Sequence, residues 1–291
     1  MKQNDEIITT PPVDAASVLL LRDSAQGLQV LLMRRAQASQ VLGGAYVFPG
    51  GKLDAQDHAP EALLCLSESP VQLHQRLAEP ALAPPRAAGL FMAVLREAFE
   101  ECGVLAGQDG TGAAWAAQLR ERLAHSSWHE SLSAAGLRLR TQALLPWSRW
   151  ITPRQPSVTN KRFDTRFFLA HVGDDQVARH DDFETTDSVW LTPSQALQRY
   201  AQGEIDLVAP QIMSLYQLKA HATVQAALDE ARERPPALVE PHPFDQDGLR
   251  ILCYPGDAQH PVPTRAMRGP TRLLFGKGRF VPLGGMSELL D

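Results

Sequence analysis

Apolar positions along the chain recur with two different periods. Residues 15–22 and 29–34 are β-rich runs, and Asp23-Ser24-Ala25-Gln26-Gly27 between them reads as a hairpin loop. Gly43-Gly44 followed by residues 45–48 predicts a turn and a short strand ending at Pro49-Gly50-Gly51, where paired glycines permit sharp backbone angles and close approach to a ligand. Residues 162–170 alternate as a half-buried strand, with Phe163, Thr165, Phe167 and Leu169 on one side. Residues 188–191 predict a further strand, leading through Thr192-Pro193 into a helix over 194–202.

Helical spacing dominates elsewhere. Residues 58–77 scatter Leu63, Leu64, Leu66, Val71, Leu73 and Leu77 at roughly helical intervals before Pro80, Pro84 and Pro85, which predicts an inserted helical lobe. A helix over 87–102 places Leu90, Phe91, Val94, Leu95, Ala98 and Phe99 inward, and another follows over 113–123. Residues 205–239 read as mainly helical, ending at Pro235-Pro236. The Pro- and Gly-rich stretch 240–291 carries short β-like pieces at 249–254 and 271–275. It reads as a packed extension or a homodimer element, with a direct substrate role open but less favoured. Residues 1–12 read as a frayed tail. The sum is an α/β class: a mixed β-sheet between helices, with a helical insertion and a C-terminal extension.

Composition narrows the partners. The 291 residues are 44% hydrophobic and 21% charged, with a net charge of −5. That balance carries no electrostatic footprint for nucleic acid or for an anionic membrane. Apolar runs are strand-length, and the polar start of the chain has no apolar signal core, so cytoplasm is the expected location. The three cysteines lie far apart and form no CxxC pair, which suits a reducing compartment. The nine histidines show no HExxH spacing, and Asp14 and Ser17 complete no nucleophile triad. Trp147, Trp150 and Trp190 are expected in the core.

The most informative stretch is Arg96-Glu97-Ala98-Phe99-Glu100-Glu101-Cys102-Gly103-Val104. Glu97 stands three and four residues from Glu100 and Glu101, so the carboxylates share adjoining parts of one helical face. Gly103 reads as the residue that stops the helix, which sets these acids at the negative end of its dipole. Each such placement costs about 0.3–1 kcal/mol, and like charges at this spacing add about 0.2–0.5 kcal/mol. A hard divalent cation, Mg2+ or Mn2+, would offset the cost and suits clustered oxygen ligands.

Joined to Phe48-Pro49-Gly50-Gly51, this stretch resembles the signature of the Nudix hydrolase family, G-x5-E-x7-R-E-U-x-E-E-x-G-U. Asp57 takes the first acidic position, and residues 58–95 fill what is otherwise a short spacer, so the signature is split. Such a split box is similar to the coenzyme A diphosphatase branch. Leu31-Leu32-Met33-Arg34-Arg35-Ala36, then Gly44 and Phe48-Pro49-Gly50-Gly51, resembles that branch's upstream motif, with Met33 and Gln40 departing from it. Residues 150–153 and 162–168 resemble the branch as well.

The resemblance implies hydrolysis of a nucleoside diphosphate linkage, first of coenzyme A or an acyl-CoA, in a domain spanning 13–239 with the insertion at 58–88. It implies Glu97, Glu100 and Glu101 as metal-site acids, with the Gly50 carbonyl as a further ligand and Arg96 holding Glu100. A catalytic base is implied either on the same helix or on a later loop, where Glu184 is the first candidate and Asp181, Asp182 and Asp187 compete. Phe48, Gly50 and Gly51 would shape the substrate loop, and Arg34, Arg35, Arg162 and Arg166 are candidates for phosphate. The rival readings are an NADH, ADP-ribose or nucleotide-sugar pyrophosphatase, and a catalytically silent nucleotide-binding module.

Overall fold

A computed structural model describes residues 4, 6–37, 42–106, 113–173, 176, 178 and 185–291. Strands β1 (Val13–Ser24) and β2 (Gly27–Arg35) form the expected hairpin. β3 (Tyr46–Val47) and β4 (Gly50–Lys52) follow. β5 (Leu145–Ile151), β6 (Phe163–His171), β7 (Thr185–Leu191) and β8 (Ala237–Val239) complete an eight-stranded mixed sheet. Its path runs β3-β2-β1-β6-β5-β8, with β4 paired to β1 and β7 to β2. β1 runs parallel to β6 through the centre of the sheet.

Side chains alternate across this sheet into two cores. Leu19 and Leu21 of β1 face one core with Phe167 and Leu169. Val18 and Leu20 face the other with Phe168 and Ala170. β6 is therefore buried on both faces, where alternation alone predicted a half-buried strand; Asp164 and Arg166, the polar members of the alternation, are buried as well. A central strand covered by helices on both sides has no solvent face, so its polar residues must find partners inside.

The helix of the second core is α3 (Pro84–Cys102), after the shorter α1 (Pro60–Leu63) and α2 (Pro70–Leu77). The predicted lobe over 58–77 is thus two short helices. Pro60 and Pro70 each take a first helical position, which a proline tolerates there and not in an interior. Ser69 and Gln72 close the start of α2 with a reciprocal capping box. Helices α4 (Ala113–Leu123) and α5 (Trp128–Ala134) extend this layer.

The first core is covered by α6 (Pro193–Gln202), α7 (Ala209–Leu218) and α8 (Val224–Glu233). Residues 237–239, expected within a helical tract, form strand β8 against β5. The C-terminal segment folds as a separate four-stranded antiparallel sheet of β9 (His242–Gln246), β10 (Leu249–Cys253), β11 (Arg272–Gly276) and β12 (Arg279–Pro282), with α9 (Ser287–Leu290) closing the chain. Leu252, Tyr254, Leu273 and Phe280 join the first core directly. The N-terminal tail is tied down where the sequence suggested fraying: Asn4 N–H donates to Ser157 O at 2.8 Å and Ile8 N–H to Arg154 O at 2.7 Å. Among the described residues no helix is long and apolar enough to cross a membrane.

One ion network docks the insertion on the sheet. The Arg166 guanidinium, 3% exposed, pairs with Asp14, with both Glu79 oxygens at 2.9 and 2.6 Å, and with Asp164 at 3.2 Å. Arg149 reaches Asp164 at 2.8 and 2.6 Å and Glu79 at 3.0 Å. Burial works to raise the Asp14 carboxyl pKa, yet Arg166 and Arg86 outweigh it and hold it below its usual value. Replacing Arg166 with Met takes the shared cation from Asp14, Glu79 and Asp164 and leaves them only Arg86 and Arg149, so chemical denaturation should show a loss of about 3–5 kcal/mol.

The C-terminal sheet has its own acid-sensitive anchor. Hydrogen bonds from Arg272 hold the Asp257 carboxyl down to about 2, against burial, with Gln259 N–H and Thr271 hydroxyl assisting. A depressed carboxyl contributes stability fully above its unfolded value of 3.8 and loses it as the pH falls toward about 2. Urea midpoints taken between pH 5 and pH 2 should therefore drop less steeply in Asp257→Asn than in the unaltered chain.

Candidate active site

The expected helix end is present: α3 stops at Gly103, whose φ of 72° is left-handed. Strand β4 lies beside α3 because it pairs antiparallel with β1, matching Ser17 to Gly50, Ala16 to Gly51 and Ala15 to Lys52. Gly50 has φ 151°, and a Cβ there would meet Ala16 O at 2.3 Å and Ser17 Cα at 2.5 Å. The strand can run this close only without a side chain.

Three glutamates meet that glycine pair in different ways. Glu101, 4% exposed, accepts the Gly50 N–H at 3.0 Å. The Glu97 carboxylate lies over Gly51, where a Cβ would fall 2.2 Å from its Oε1. Glu100 stands nearer solvent and accepts Arg96 Nη1 at 2.9 Å, the expected i,i+4 pair. Burial raises the Glu100 carboxyl pKa; Arg96 opposes that, and Asp57 and Asp54 add to it.

Asp57 closes the split signature in space. Arg96 donates Nε to Asp57 Oδ1 at 2.8 Å and Nη2 to Oδ2 at 2.9 Å, a two-pronged bond across 39 positions of sequence. Asp57 is 2% exposed and also accepts the Asp54 N–H at 2.9 Å. It sits in a 3-10 turn, Ala55–His58, that packs on α3 at Gly89, where a Cβ would meet His58 Cβ at 2.7 Å. Arg96 Nη1 also reaches Glu97 at 3.0 Å, and Nη2 stands 3.7 Å from Asp54. Burial would lower the Arg96 pKa, but the hydrogen bond to Asp57 and the surrounding carboxylates raise it overall.

Four carboxylates thus share one guanidinium, a local surplus of negative charge at the negative end of a helix dipole. All the available donors are hard oxygens, which fits Mg2+ or Mn2+. Among the described residues no three acidic, imidazole or thiol groups converge into a ready cage.

Of the three glutamates, Glu97 lines a pocket of about 810 Å3. Glu97, Gly50, Gly51 and Phe48 line it, and so does Arg35, whose Nε is buried without a hydrogen-bond partner. Lys52 and Lys161, not singled out from the sequence, stand on its wall as exposed cations. Both adjoin recognised motifs, and neither had a distinguishing pattern. The other arginines are placed differently. Arg166 is consumed in the buried network above, and Arg162 is buried with Nε on Thr152 O at 2.9 Å. Arg34 is exposed near the end of β2, between β3 and β7. None of these three arginines is on the pocket lining.

Glu184, Asp181 and Asp182 lie outside the described residues, as does Gln40. Asp187 accepts the Tyr46 hydroxyl at 2.7 Å; burial first, and that bond with it, push the Tyr46 pKa up to about 12. Trp147 is 1% and Trp150 5% exposed, as core residues should be, although Trp150 also lines the pocket. Cys102 is fully buried, and burial pushes its thiol up to about 12, so it serves packing.

Comparison with known proteins places this geometry. The NUDT19 Nudix domain profile matches residues 7–218. The chain is 26% identical over 286 residues to the acyl-coenzyme A diphosphatase NUDT19 of Xenopus laevis, covering 82% of this chain and 73% of that one. It is 29% identical over 236 residues to the human protein of the same name, covering 69% of this chain and 63% of that one. A NUDIX hydrolase crystal structure from Alicyclobacillus acidocaldarius is similar at 29% identity with a TM-score of 0.59, over 76% of this chain and 97% of that one.

The two glycines should respond differently to a methyl group. Gly50→Ala meets backbone and a positive φ, so its melting temperature should fall by several degrees. Gly51→Ala meets only the movable Glu97 carboxylate, so it should melt near the parent while its turnover falls at least tenfold. Parallel melting curves and rate assays check both.

Proposed function

Since the chain belongs to the NUDT19 Nudix domain family, we propose that its pocket hydrolyses the diphosphate linkage of coenzyme A or an acyl-CoA, giving 3′,5′-ADP and (acyl-)phosphopantetheine. The chain is a Nudix diphosphatase; the substrate and the residue roles are the proposal. The observation that carries it is the placement of Glu97 and Glu101 against Gly51 and Gly50 at the wall of a large pocket.

In this reading Glu97, Glu100 and Glu101 hold Mg2+ or Mn2+, with the Gly50 carbonyl as a further oxygen donor. Such a cation neutralises diphosphate oxygens and lowers the pKa of a water. Arg35 and the exposed Lys52 and Lys161 receive the anionic substrate from the pocket side. Arg96 and Asp57 act as positioning residues: their buried bond fixes the part of α3 from which the glutamates project. Water attacks one phosphorus, the bridging P–O bond breaks, and the departing phosphate keeps the bridging oxygen. The water's proton passes to a carboxylate. Glu97, on the pocket wall, and Glu184, which precedes β7 in the sequence, are the two assignments.

Two observations bear on the rivals. Met33, one departure from the coenzyme A motif, is wholly buried in the second core, so that difference concerns packing and weakens the case for an NADH or ADP-ribose pyrophosphatase. Retention of all three helix glutamates argues against a silent module.

Purified chain should be tested with Mg2+ and with Mn2+ against coenzyme A, acyl-CoAs, NADH, ADP-ribose and dinucleotide polyphosphates. Turnover of coenzyme A that a chelator abolishes is expected; turnover of ADP-ribose without coenzyme A overturns the substrate. Glu101→Gln should lower kcat by about 10²-fold or more, the scale of a lost electrostatic or proton-transfer contribution. Asp57→Asn, acting through Arg96, should cost about 10–100-fold. A kcat loss of about 10²-fold or more in Glu184→Gln assigns the base to Glu184, and near-parent turnover of that variant returns the role to the helix.

A further inference from the structure

We infer that residues 240–291 form a wall of the catalytic pocket and, with Ser157 and Gln211, select the substrate's second arm, a flexible aliphatic chain interrupted by amides. The inference rests on the diphosphatase reading above and extends it to a segment outside the matched family region, which ends at residue 218. The sequence left a direct substrate role for this segment open but less favoured. The structure places its Pro241, Leu252 and Phe280 on the lining of the same pocket as Glu97 and Gly51.

The chemistry of that wall is specific. Val208 and Pro210 at the start of α7 join Pro241 and Leu252, so much of the surface is aliphatic or prolyl. Set among these are two unsatisfied polar groups: the Ser157 hydroxyl and the Gln211 amide oxygen are buried without hydrogen-bond partners. Both residues line the pocket at only 4% and 6% exposure. Buried polar atoms are nearly always paired, so capacity left open at a pocket wall points to a ligand that completes it. The Gln211 oxygen needs a donor, and the Ser157 hydroxyl can donate or accept. An amide supplies an N–H and a C=O, while its flanking methylenes suit Leu252 and the prolines.

The extension also sets the loop that carries Ser157. Arg250 of β10, 1% exposed, donates to Asn4 O at 3.4 Å. Asn4 in turn donates N–H to Ser157 O at 2.8 Å and Nδ2 to Thr159 O at 2.7 Å. Extension, N-terminal tail and loop are therefore one hydrogen-bonded unit around this end of the pocket.

The test uses the two halves of the substrate as inhibitors of coenzyme A hydrolysis by the full chain. In Gln211→Met, inhibition by phosphopantetheine should weaken about tenfold, the loss of one well-made hydrogen bond, while inhibition by 3′,5′-ADP changes less than about twofold. The melting temperature of the free variant should hold or rise, because the unpaired oxygen is gone. Leu252→Trp, which narrows the wall, should show the same inhibitor order, and Gln211→Met decides alone if the tryptophan variant does not fold. Equal weakening of both inhibitors, weakening confined to 3′,5′-ADP, or a lowered melting temperature with unchanged phosphopantetheine inhibition overturns the inference and leaves the diphosphatase reading standing. Failure of the unaltered chain to turn over coenzyme A overturns both.

Discussion

A single buried guanidinium organises this molecule. Arg96 is 6% exposed, and a buried charge persists only if it is paired and hydrogen-bonded. Its partners come from three pieces of chain: Asp57 in the 3-10 turn, Glu97 and Glu100 on its own helix, and the Lys52 carbonyl of β4 at 3.3 Å. Satisfying Arg96 therefore sets β4, the turn and the end of α3 in one arrangement, with Gly50 and Gly51 against the glutamates. Lengthening the connection between Asp57 and Arg96 does little against this. Closure entropy grows by only about 0.6 kcal/mol for each doubling of loop length. A segment several times the usual spacer thus adds only about 1–2 kcal/mol to the cost of closure, against the roughly 3–5 kcal/mol lost when a buried pair is broken.

The same bond explains why carboxylates tolerate the unfavourable end of a helix. Glu101 is relieved by a backbone N–H, Glu100 and Glu97 in part by Arg96, and Asp57 takes up two of that guanidinium's nitrogens. The raised Glu100 carboxyl reflects its burial first, and then Asp57 and Asp54 beside it, which outweigh Arg96.

Much of this was legible because local chemistry dictated it. The glycine stop of α3, the i,i+4 pair of Arg96 and Glu100, the β1–β2 hairpin and the Phe48–Gly51 turn all follow from short-range spacing. What failed depended on tertiary surroundings. Whether Arg166 faces a phosphate or a carboxylate cannot be read from its neighbours in sequence, because Asp14 and Glu79 approach from distant segments. β6 looked half-buried because its polar residues alternate correctly, but those residues satisfy one another inside the protein. The helical lobe broke in two because leucine spacing persisted across Pro70, where the backbone cannot. In residues 240–291 the β-hairpins are short and turn-rich, so periodicity marked two of four strands.

The two additions to the core fold serve opposite ends of one problem. The insertion leaves the signature at Asp57, packs α2 on α3, and is pinned by Glu79 to Arg166 and Arg149 on the sheet. None of the pocket lining comes from residues 58–88. It packs on the helix that bears the glutamates without entering the pocket. The extension instead reaches the pocket, where Pro241, Leu252 and Phe280 line the same space as Glu97. Because the carboxylates are held by Arg96 and the wall by the Arg250–Asn4–Ser157 chain, the bonds that place the chemistry are distinct from those that shape the pocket. On the proposed reading, substitutions in the wall alter which diphosphate is accepted while leaving in place the residues assigned to its cleavage.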